Sequence, residues 1–435
     1  MKKAASFALG CKVNQYESEA IAELFAQKGY EIVSVEDAAD VYVINTCTVT
    51  NFGDKKSRQL IRKVKRQNPA AIVAVVGCYA QTAPQEIMRV EGVNLVIGTK
   101  DRAQIVELVE QYDAAHGVEN YVSDIMKERT FEPLSIQTLA NRSRAYLKIQ
   151  DGCSQYCSYC IIPYARGPIR SREPQEVLAE VARLAANGFR EVVLTGIHVA
   201  SYGKDRRDTS LLDIVQRVHE TEGIERIRFS SIEPNVVTEE FAQAMAALPK
   251  VCDHFHLSLQ SGCDKTLREM NRKYDTAKYR QAAATLRRYL PEVALTTDII
   301  VGFPGETEED FAQSYAFAKE IGFAKIHVFP YSPKKGTPAA ERSDQLSNAV
   351  KSERSHRLMA LSDEMMQDFL RGYVGMTVDV LYERRIGEDL YEGHTTNYNK
   401  VYGASPVDLT NRIVPTEISA LAEDGLRGRA EGLSL

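Results

Sequence analysis

Three cysteines stand within eight residues near the middle of this 435-residue chain, at Cys153, Cys157 and Cys160. Three thiolates are one ligand short of the closed tetrahedral site that structural zinc requires. A four-iron cluster held by three cysteines instead keeps one iron free for a small molecule. A zinc site completed by a distant His or Cys, or three unrelated thiols, are the alternatives. The spacing favours an iron–sulfur loop, and we expect the rest of the chain to be organised around it.

The run from Cys153 to Cys160, with the aromatic Tyr159 before its last cysteine, resembles the cluster-binding loop of the radical S-adenosylmethionine (radical SAM) superfamily. This resemblance makes the three cysteines the candidate catalytic and metal-binding residues. It implies that the free iron binds the amino and carboxylate groups of SAM, and that an electron from the cluster cleaves the sulfonium. The protein's own part would be to hold and shield the cofactor.

Composition is that of an ordinary globular protein, with 44% hydrophobic and 26% charged residues, and the length suffices for two or three domains. The apolar run before Cys11 is too short for a signal peptide, and no stretch approaches the roughly 20 apolar residues that span a bilayer. We therefore expect a cytoplasmic protein without a membrane partner, whose cysteines serve metal binding or catalysis. Because the net charge is −5, nucleic-acid binding would have to come from local patches.

Apolar runs alternate with helical patterns over residues 1–131, which predicts a doubly wound α/β domain with a mostly parallel sheet. The predicted strands are Ala4–Leu9, Val41–Ile44, Ala71–Val76 and Leu95–Ile97, and the predicted helices are Glu17–Lys28, Asp54–Gln67, Gln85–Val90 and Arg102–Gln111. Cys11, Cys47 and Cys78 each follow a predicted strand. Because loops after parallel strands meet at one edge of a sheet, these cysteines can form a second metal site. Three buried core thiols are the alternative.

Three segments of this domain, Gly10–Glu19, Asn45–Thr50 and Val76–Ala80, resemble the N-terminal domain of the methylthiotransferases, a family of radical SAM enzymes. The resemblance implies that Cys11, Cys47 and Cys78 hold an auxiliary cluster, so that the chain carries two [4Fe-4S] clusters. The two cysteines left over, Cys252 and Cys263, fit no ligand spacing and are expected to be structural.

The predicted helix Asp54–Gln67 carries seven Lys and Arg residues beside a narrow apolar stripe. A charge run of this kind is either a solvated face or a site for a phosphate backbone. We take Lys55, Arg58 and Arg62 as candidate substrate contacts.

After a polar linker, strand and helix patterns alternate again over residues 140–368. The six predicted strands are Ala145–Gln150, Glu191–Thr195, Arg226–Ser231, His254–Gln260, Val293–Val301 and Lys325–Tyr331. Six β/α units predict a partial barrel with its site at the carboxyl ends of the strands, where Cys153 lies. Alternation directs His254 and His256 into a polar lumen, and we expect them to be hydrogen-bonded rather than metal ligands.

Two more segments, Gln260–Tyr274 and Thr297–Thr307, resemble the radical SAM methylthiotransferases. By that resemblance the cofactor-binding residues are Gln260 near the SAM ribose, Gly302 and Val328 beside the adenine, and Tyr159 packed next to it. The second strand ends in Leu194–His198 and lacks the Gly-Gly-Glu that many radical SAM enzymes use for the methionine amino group. The sequence therefore does not identify that contact.

Three arginines, Arg166, Arg170 and Arg172, directly follow the cluster loop. Guanidinium groups suit phosphate or carboxylate as bidentate partners. We expect Arg172 to contact the SAM carboxylate and Arg166 to contact substrate near the mouth of the barrel, with ordinary salt bridges as the alternative.

Short β-rich runs over residues 371–435 predict a small all-β barrel, with strands at Thr377–Tyr382, Leu390–Glu392, Lys400–Tyr402 and Arg412–Ile418. The segment Tyr391–Asn399 and its position resemble the TRAM domain, an RNA-binding module. Acidic residues outnumber Lys and Arg here by ten to seven, so we expect RNA contact through Tyr398, Asn397 and His394 rather than through bulk charge.

Together these resemblances span nearly the whole chain and imply a tRNA methylthiotransferase. Its expected substrate is C2 of N6-threonylcarbamoyladenosine next to the anticodon, with SAM as radical source and methyl donor. An electron donor of the flavodoxin or ferredoxin type is expected, and the sulfur donor is not identified. The alternatives are the same chemistry on isopentenyladenosine or on a ribosomal protein aspartate, and a zinc-stabilised RNA-binding protein without catalysis.

Overall fold

The computed structural model of the protein describes residues 1–136 and 143–431. The expected domain start at residue 140 and the last four residues of the expected C-terminal barrel lie outside these ranges. Three β-structures organise the described chain: a six-stranded parallel sheet, a partial barrel built from two sheets, and a small closed barrel.

The N-terminal sheet has the strand order β2-β1-β3-β4-β5-β6, and all its neighbouring strands run parallel. Its strands are β1 Lys3–Ala8, β2 Glu31–Ile32, β3 Val41–Thr46, β4 Ile72–Gly77, β5 Leu95–Val96 and β6 Glu119–Asn120, with α1 Lys12–Gln27, α2 Asn51–Gln67, α3 Cys78–Thr82, α4 Pro84–Met88 and α5 Ile105–Gln111. Alternate residues of β4 enter separate apolar cores on the two faces of the sheet. The predicted doubly wound α/β domain is confirmed; the prediction lacked the two-residue strands β2 and β6 and the short helix α3.

The central part is a partial (β/α)6 barrel. Its strands are β7 Arg144–Asp151, β8 Arg170–Ser171, β9 Glu191–Gly196, β10 Arg226–Phe229, β11 His254–His256, β12 Ala294–Val301 and β13 Lys325–Pro330. The sheets β10-β9-β7-β8 and β11-β12-β13 are joined by bridges from Ile227 to Val251 and from Ile232 to Leu257. Strand β8 is a short antiparallel addition, so the six remaining strands match the predicted ones.

Helices cover the outside of this barrel and enclose the largest hydrophobic core. They are α7 Pro174–Ala186, α8 Leu211–His219, α9 Glu239–Ala246, α10 Asp264–Glu269, α11 Thr276–Tyr289, α12 Glu308–Ile321 and α13 Asn348–Arg371, whereas α6 Ile162–Arg166 packs on α3 of the N-terminal domain. Phe255 and Leu257 enter that core, while His254 and His256 both hydrogen-bond to the Thr296 hydroxyl, at 3.1 and 3.0 Å. The expected hydrogen-bonded histidines are thereby confirmed.

The C-terminal barrel closes in the order β14-β15-β16-β18-β17. Its strands are β14 Thr377–Gly387, β15 Leu390–His394, β16 Lys400–Ala404, β17 Arg412–Ala422 and β18 Gly425–Ala430. Strand β18 was not predicted, because its two glycines and two arginines leave little apolar alternation. Within the described ranges, no helix is both long and apolar enough to cross a bilayer.

The C-terminal barrel docks on the amino ends of the central strands, and Tyr398 lies at the centre of this contact. Its ring packs against the guanidinium groups of Arg144 and Arg228 at 4.9 and 4.7 Å, and stacks on His394 at 4.8 Å. The Asn397 amide donates to the backbone carbonyl of residue 292 at 2.6 Å. Tyr398 and Asn397, expected to contact RNA, face the central barrel here, while His394 stacks on Tyr398 and bonds to Glu383 within the C-terminal barrel. The position of Tyr398 is favourable because a buried guanidinium plane favours an aromatic cover.

Candidate active site

The loop with the three central cysteines is held at the carboxyl end of β7 by backbone hydrogen bonds. The Cys153 N–H donates to the carbonyl of residue 167 at 3.0 Å, and the Ser158 N–H donates to Met270 at 3.0 Å. Gly152 begins the loop with φ +74°, and a Cβ there would lie 1.9 Å from the Pro168 carbonyl oxygen. Only glycine fits this position, so the turn that presents the cysteines depends on it.

The N-terminal cysteines come together although they are far apart in the sequence. Cys11 precedes α1, Cys47 follows β3, and Cys78 opens α3 directly after β4. Gly10 has φ +105°, and a Cβ on it would lie 2.7 Å from the Cys47 sulfur, so the first loop passes directly over the second. The expected convergence at the carboxyl edge of the parallel sheet is what the structure displays.

The chemistry of both sets suits iron–sulfur clusters. Burial, together with a smaller effect of neighbouring thiols, raises the pKa of Cys153 to about 11 and the pKa of Cys47 and Cys160 to about 12. Such thiols ionise at neutral pH only when a bound cation compensates the charge. Within the described residues, no three His, Cys, Asp or Glu side chains converge as one metal ion would require. A cluster binds each cysteine at a different iron, so its ligands need not meet at one point.

A buried carboxylate, Glu17 of α1, lies between the two cysteine sets. It contacts Arg102 at 2.6 Å, Lys148 at 2.7 Å and Arg166 at 2.5 Å. Burial opposes its ionisation, but the three cations outweigh this effect and hold the pKa of Glu17 well below its usual value. Glu17 therefore stays charged and connects the N-terminal domain to the central barrel.

The cations around Glu17 reach both cysteine loops. Arg166 donates from Nε to the Cys78 sulfur at 3.2 Å. Lys148 contacts Asp151 at 2.6 Å, two residues before Cys153. One continuous ionic network thus fixes the two loops relative to each other.

Arg166 and Arg172 are not at the open mouth of the barrel, where sequence analysis expected them. Arg166 is fully buried in the network just described. Arg172 is also buried and contacts Glu180 at 2.6 Å, and Glu180 accepts a hydrogen bond from the Tyr16 hydroxyl at 3.1 Å. Both guanidinium groups neutralise carboxylates at the interface between the N-terminal sheet and the barrel. They therefore form the ordinary salt bridges that were the alternative to contacts with SAM and substrate.

A second network surrounds Cys157, and sequence analysis did not find it. Arg272 donates from Nη1 to the Cys157 sulfur at 3.1 Å and from Nη2 to Glu233 at 2.7 Å. Glu233 also contacts His198 at 3.1 Å. Burial opposes ionisation of Glu233, but His198 and Arg272 outweigh it and lower its pKa. The available signal was positional, since Glu233 and His198 follow the third and second strands of the barrel.

Three of the expected cofactor-binding residues lie near the carboxyl ends of the strands. Tyr159 packs against the cluster formed by Phe303, Tyr331, Met270 and Ala339. Gln260, four residues after the end of β11, has φ +69°, and its N–H donates to the Asp298 carbonyl at 2.8 Å. The Gly302 N–H donates to the Glu306 carboxylate at 2.7 Å.

Val328, the fourth expected residue on this side, points elsewhere. Its half-buried side chain packs against the large hydrophobic core beneath the helices. Strand alternation sends its neighbours His327 and Phe329 into the lumen, and the Phe329 ring is 47% exposed. Phe329 is therefore the better candidate to contact a bound ring from β13.

The basic helix α2 keeps part of its predicted charged face. Lys55 and Arg62 are exposed, and Arg58 donates to the Tyr79 hydroxyl. Lys63 and Lys65 are already bonded within the N-terminal domain. Lys55 and Arg62 remain suitable for a phosphate backbone, whereas Arg58 is held at Tyr79.

Comparisons with known proteins agree with this architecture. Residues 147–318 match the family described as Radical SAM superfamily, and residues 3–98 match Uncharacterized protein family UPF0004. Threonylcarbamoyladenosine tRNA methylthiotransferase MtaB of Bacillus subtilis is 45% identical over 423 residues, covering 96% of this chain and 94% of the relative. The tRNA-2-methylthio-N(6)-dimethylallyladenosine synthase of Moorella thermoacetica is 36% identical over 419 residues, covering 94% of each chain.

A solved structure shares the fold. The radical S-adenosylmethionine methyltransferase TsrM from Kitasatospora setae, solved with tryptophan and a SAM analogue, aligns with TM-score 0.56 over 85% of this chain and 89% of its own. The identity is 14%, so this likeness concerns the fold alone. The full-length relatives, in contrast, share sequence across all three parts. The chain therefore belongs to the radical SAM methylthiotransferases, the family of the threonylcarbamoyladenosine tRNA methylthiotransferase MtaB.

Proposed function

We propose that this protein methylthiolates C2 of N6-threonylcarbamoyladenosine in tRNA. The name of the 45% identical relative supports this substrate over dimethylallyladenosine, because the relative named for the latter is 36% identical. The reaction class follows from the family, whose members use SAM and [4Fe-4S] clusters.

The observation that carries the proposal is the approach of two three-cysteine sets across one interface, tied together by Glu17, Arg166 and Lys148. Cys153, Cys157 and Cys160 are proposed to hold the cluster that serves SAM, and Cys11, Cys47 and Cys78 to hold the auxiliary cluster. When bound, these groups supply reductive cleavage of SAM and the sulfur chemistry.

The chain's own residues hold and shield these sites. Arg272 and Arg166 each donate an N–H to a cysteine sulfur, which stabilises negative charge on that sulfur. The buried carboxylates Glu233 and Glu17 orient those two guanidinium groups. Each candidate site therefore has one cysteine whose sulfur is fixed by a buried ion pair.

Two partners follow from the proposed reaction. The exposed cations of α2 provide a place for the phosphate backbone of tRNA. Cleavage of SAM requires one electron at a time, and we propose a donor of the flavodoxin or ferredoxin type, which carries single electrons.

Nucleoside analysis tests the function. The protein is expressed in a bacterial strain deleted for its own tRNA methylthiotransferases, and digested tRNA is examined by mass spectrometry. We expect 2-methylthio-N6-threonylcarbamoyladenosine in the complemented strain and its absence in the empty-vector control. Methylthiolation of dimethylallyladenosine alone, or of ribosomal protein, would assign the protein to a sister activity.

A further inference from the structure

A large cleft lies between the N-terminal domain and the central barrel, beside both cysteine sets. Its volume of about 810 Å³ is in the range of small-ligand sites. One wall is formed by α2 and the segment after Cys78, and the other by Ile161, Tyr164 and the loop Lys334–Gly336. Tyr79 directly follows Cys78 and Ile161 directly follows Cys160, so the cleft opens next to a ligand of each proposed cluster.

The wall formed by the barrel is fixed to the cysteine loop. The Ala339 N–H donates to the Ser158 carbonyl at 2.8 Å, and a Cβ on Gly336 would lie 3.5 Å from Ile161. From the other side, the Asn51 amide donates to the Pro333 carbonyl at 2.9 Å. The loop that carries Lys334 and Lys335 is thus braced by both domains, and its position is defined rather than free.

Aromatic rings line the entrance of the cleft. Tyr164 is 44% exposed, and it packs edge-on against Tyr156, which is 41% exposed, with ring centroids 5.9 Å apart. Exposed tyrosines beside a cleft provide faces on which a nucleic-acid base can stack. Tyr164 itself lines the cleft.

One cation that lines the cleft is unpaired within the described residues. Lys334 is buried and paired with Asp54. Arg58 donates to the Tyr79 hydroxyl, which donates to Glu86 at 2.9 Å, so that carboxylate also has a hydrogen-bond partner. Lys335 is exposed and has no bonded partner among residues 1–136 and 143–431. The cleft therefore has an unpaired positive charge that suits an anionic ligand.

We propose that this cleft binds the modified nucleoside, that Tyr164 stacks on its base, and that Lys335, with Arg58 on the facing wall, binds the carboxylate of the threonylcarbamoyl group. This inference rests on the proposed function, because that group carries a carboxylate next to the carbamoyl-linked adenine. A dimethylallyl group has no charge, so desolvating these cations against it would be unfavourable. Lys335 and Arg58 would then determine which modified adenosine is accepted.

The test measures binding of two anticodon stem-loops that differ only in the threonylcarbamoyl group. We expect wild-type protein to bind the modified RNA more tightly than the unmodified RNA. Lys335→Glu should reduce this preference about tenfold, because it removes a charge-assisted hydrogen bond to the carboxylate. Lys335→Arg should keep most of the preference. Iron content and circular dichroism verify that each variant is folded and loaded.

Lys28→Glu is the matched control, since it makes the same charge change on an exposed lysine at the end of α1. It should change the binding affinity for both RNAs equally and leave the ratio of the two affinities unchanged. This inference is overturned if Lys335→Glu and Arg58→Gln both keep the wild-type ratio of affinities for the two RNAs. The proposed function then still stands, provided that the wild-type enzyme forms methylthiolated threonylcarbamoyladenosine in cells. If wild-type protein forms no such product and shows no preference, both are overturned.

Discussion

Arg166→Gln removes one of three cations that contact the buried Glu17 carboxylate, together with the N–H donor to the Cys78 sulfur. Removing one partner of a buried ion pair costs about 3–5 kcal/mol. Because Glu17 keeps Arg102 and Lys148, we expect the lower end, a loss of about 3 kcal/mol in the free energy of unfolding.

Glu17→Gln should cost more, about 5 kcal/mol, because it deprives all three cations of their shared carboxylate. In the double variant, Arg102 keeps Glu132 and Lys148 keeps Asp151, so the remaining charges are again paired. The double variant should therefore lose less free energy of unfolding than the two single variants lose together, and the difference should be at least about 1 kcal/mol.

The assay is urea unfolding followed by circular dichroism on cluster-loaded protein. Arg280→Gln is the control, since it removes an arginine whose ion pair with Glu320 is half-exposed, and it should cost about 1 kcal/mol or less. The ionic link between the domains would be refuted if Arg166→Gln and Arg280→Gln lowered the free energy of unfolding equally. Strict additivity of the two losses in the double variant would refute it as well.

Two further predictions concern the outer parts of the molecule. Changing Lys55 and Arg62 to Gln should lower the log–log salt slope of tRNA affinity by about one for each phosphate that is no longer neutralised. An unchanged slope in filter binding would make α2 a plain solvated face. Tyr398→Ala should loosen the C-terminal barrel, because the ring packs on two guanidinium groups at 4.9 and 4.7 Å. Limited proteolysis should then cut residues 372–376 several times faster, and an unchanged rate would contradict the docking role.

The fold could be predicted because its signals are local. Apolar runs of three to nine residues alternate with helical patterns, and parallel strands place the following loops at one edge. The positions of Cys11, Cys47 and Cys78 after successive strands therefore carried three-dimensional information. Strands with few apolar residues, such as β18, gave no such signal.

The partners of the charged residues could not be predicted, because they come from distant parts of the chain. Arg166 contacts Glu17, 149 residues away, and Arg228 packs on Tyr398 in another domain. An arginine after a cluster loop has the same local sequence whether it faces a phosphate or a buried carboxylate. Only the packing of α1 against the barrel decides between them.

Division of labour between the two cysteine sets is tested most directly by measuring 5′-deoxyadenosine, methylthiolated nucleoside and iron on the same preparations. Wild-type protein should hold about eight irons, and each triple Cys→Ala variant about four. The variant lacking Cys153, Cys157 and Cys160 should form no 5′-deoxyadenosine from SAM under dithionite. The variant lacking Cys11, Cys47 and Cys78 should still form it and yield no methylthiolated adenosine. Loss of SAM cleavage in that second variant, folded and still holding about four irons, would contradict separate roles for the two sets.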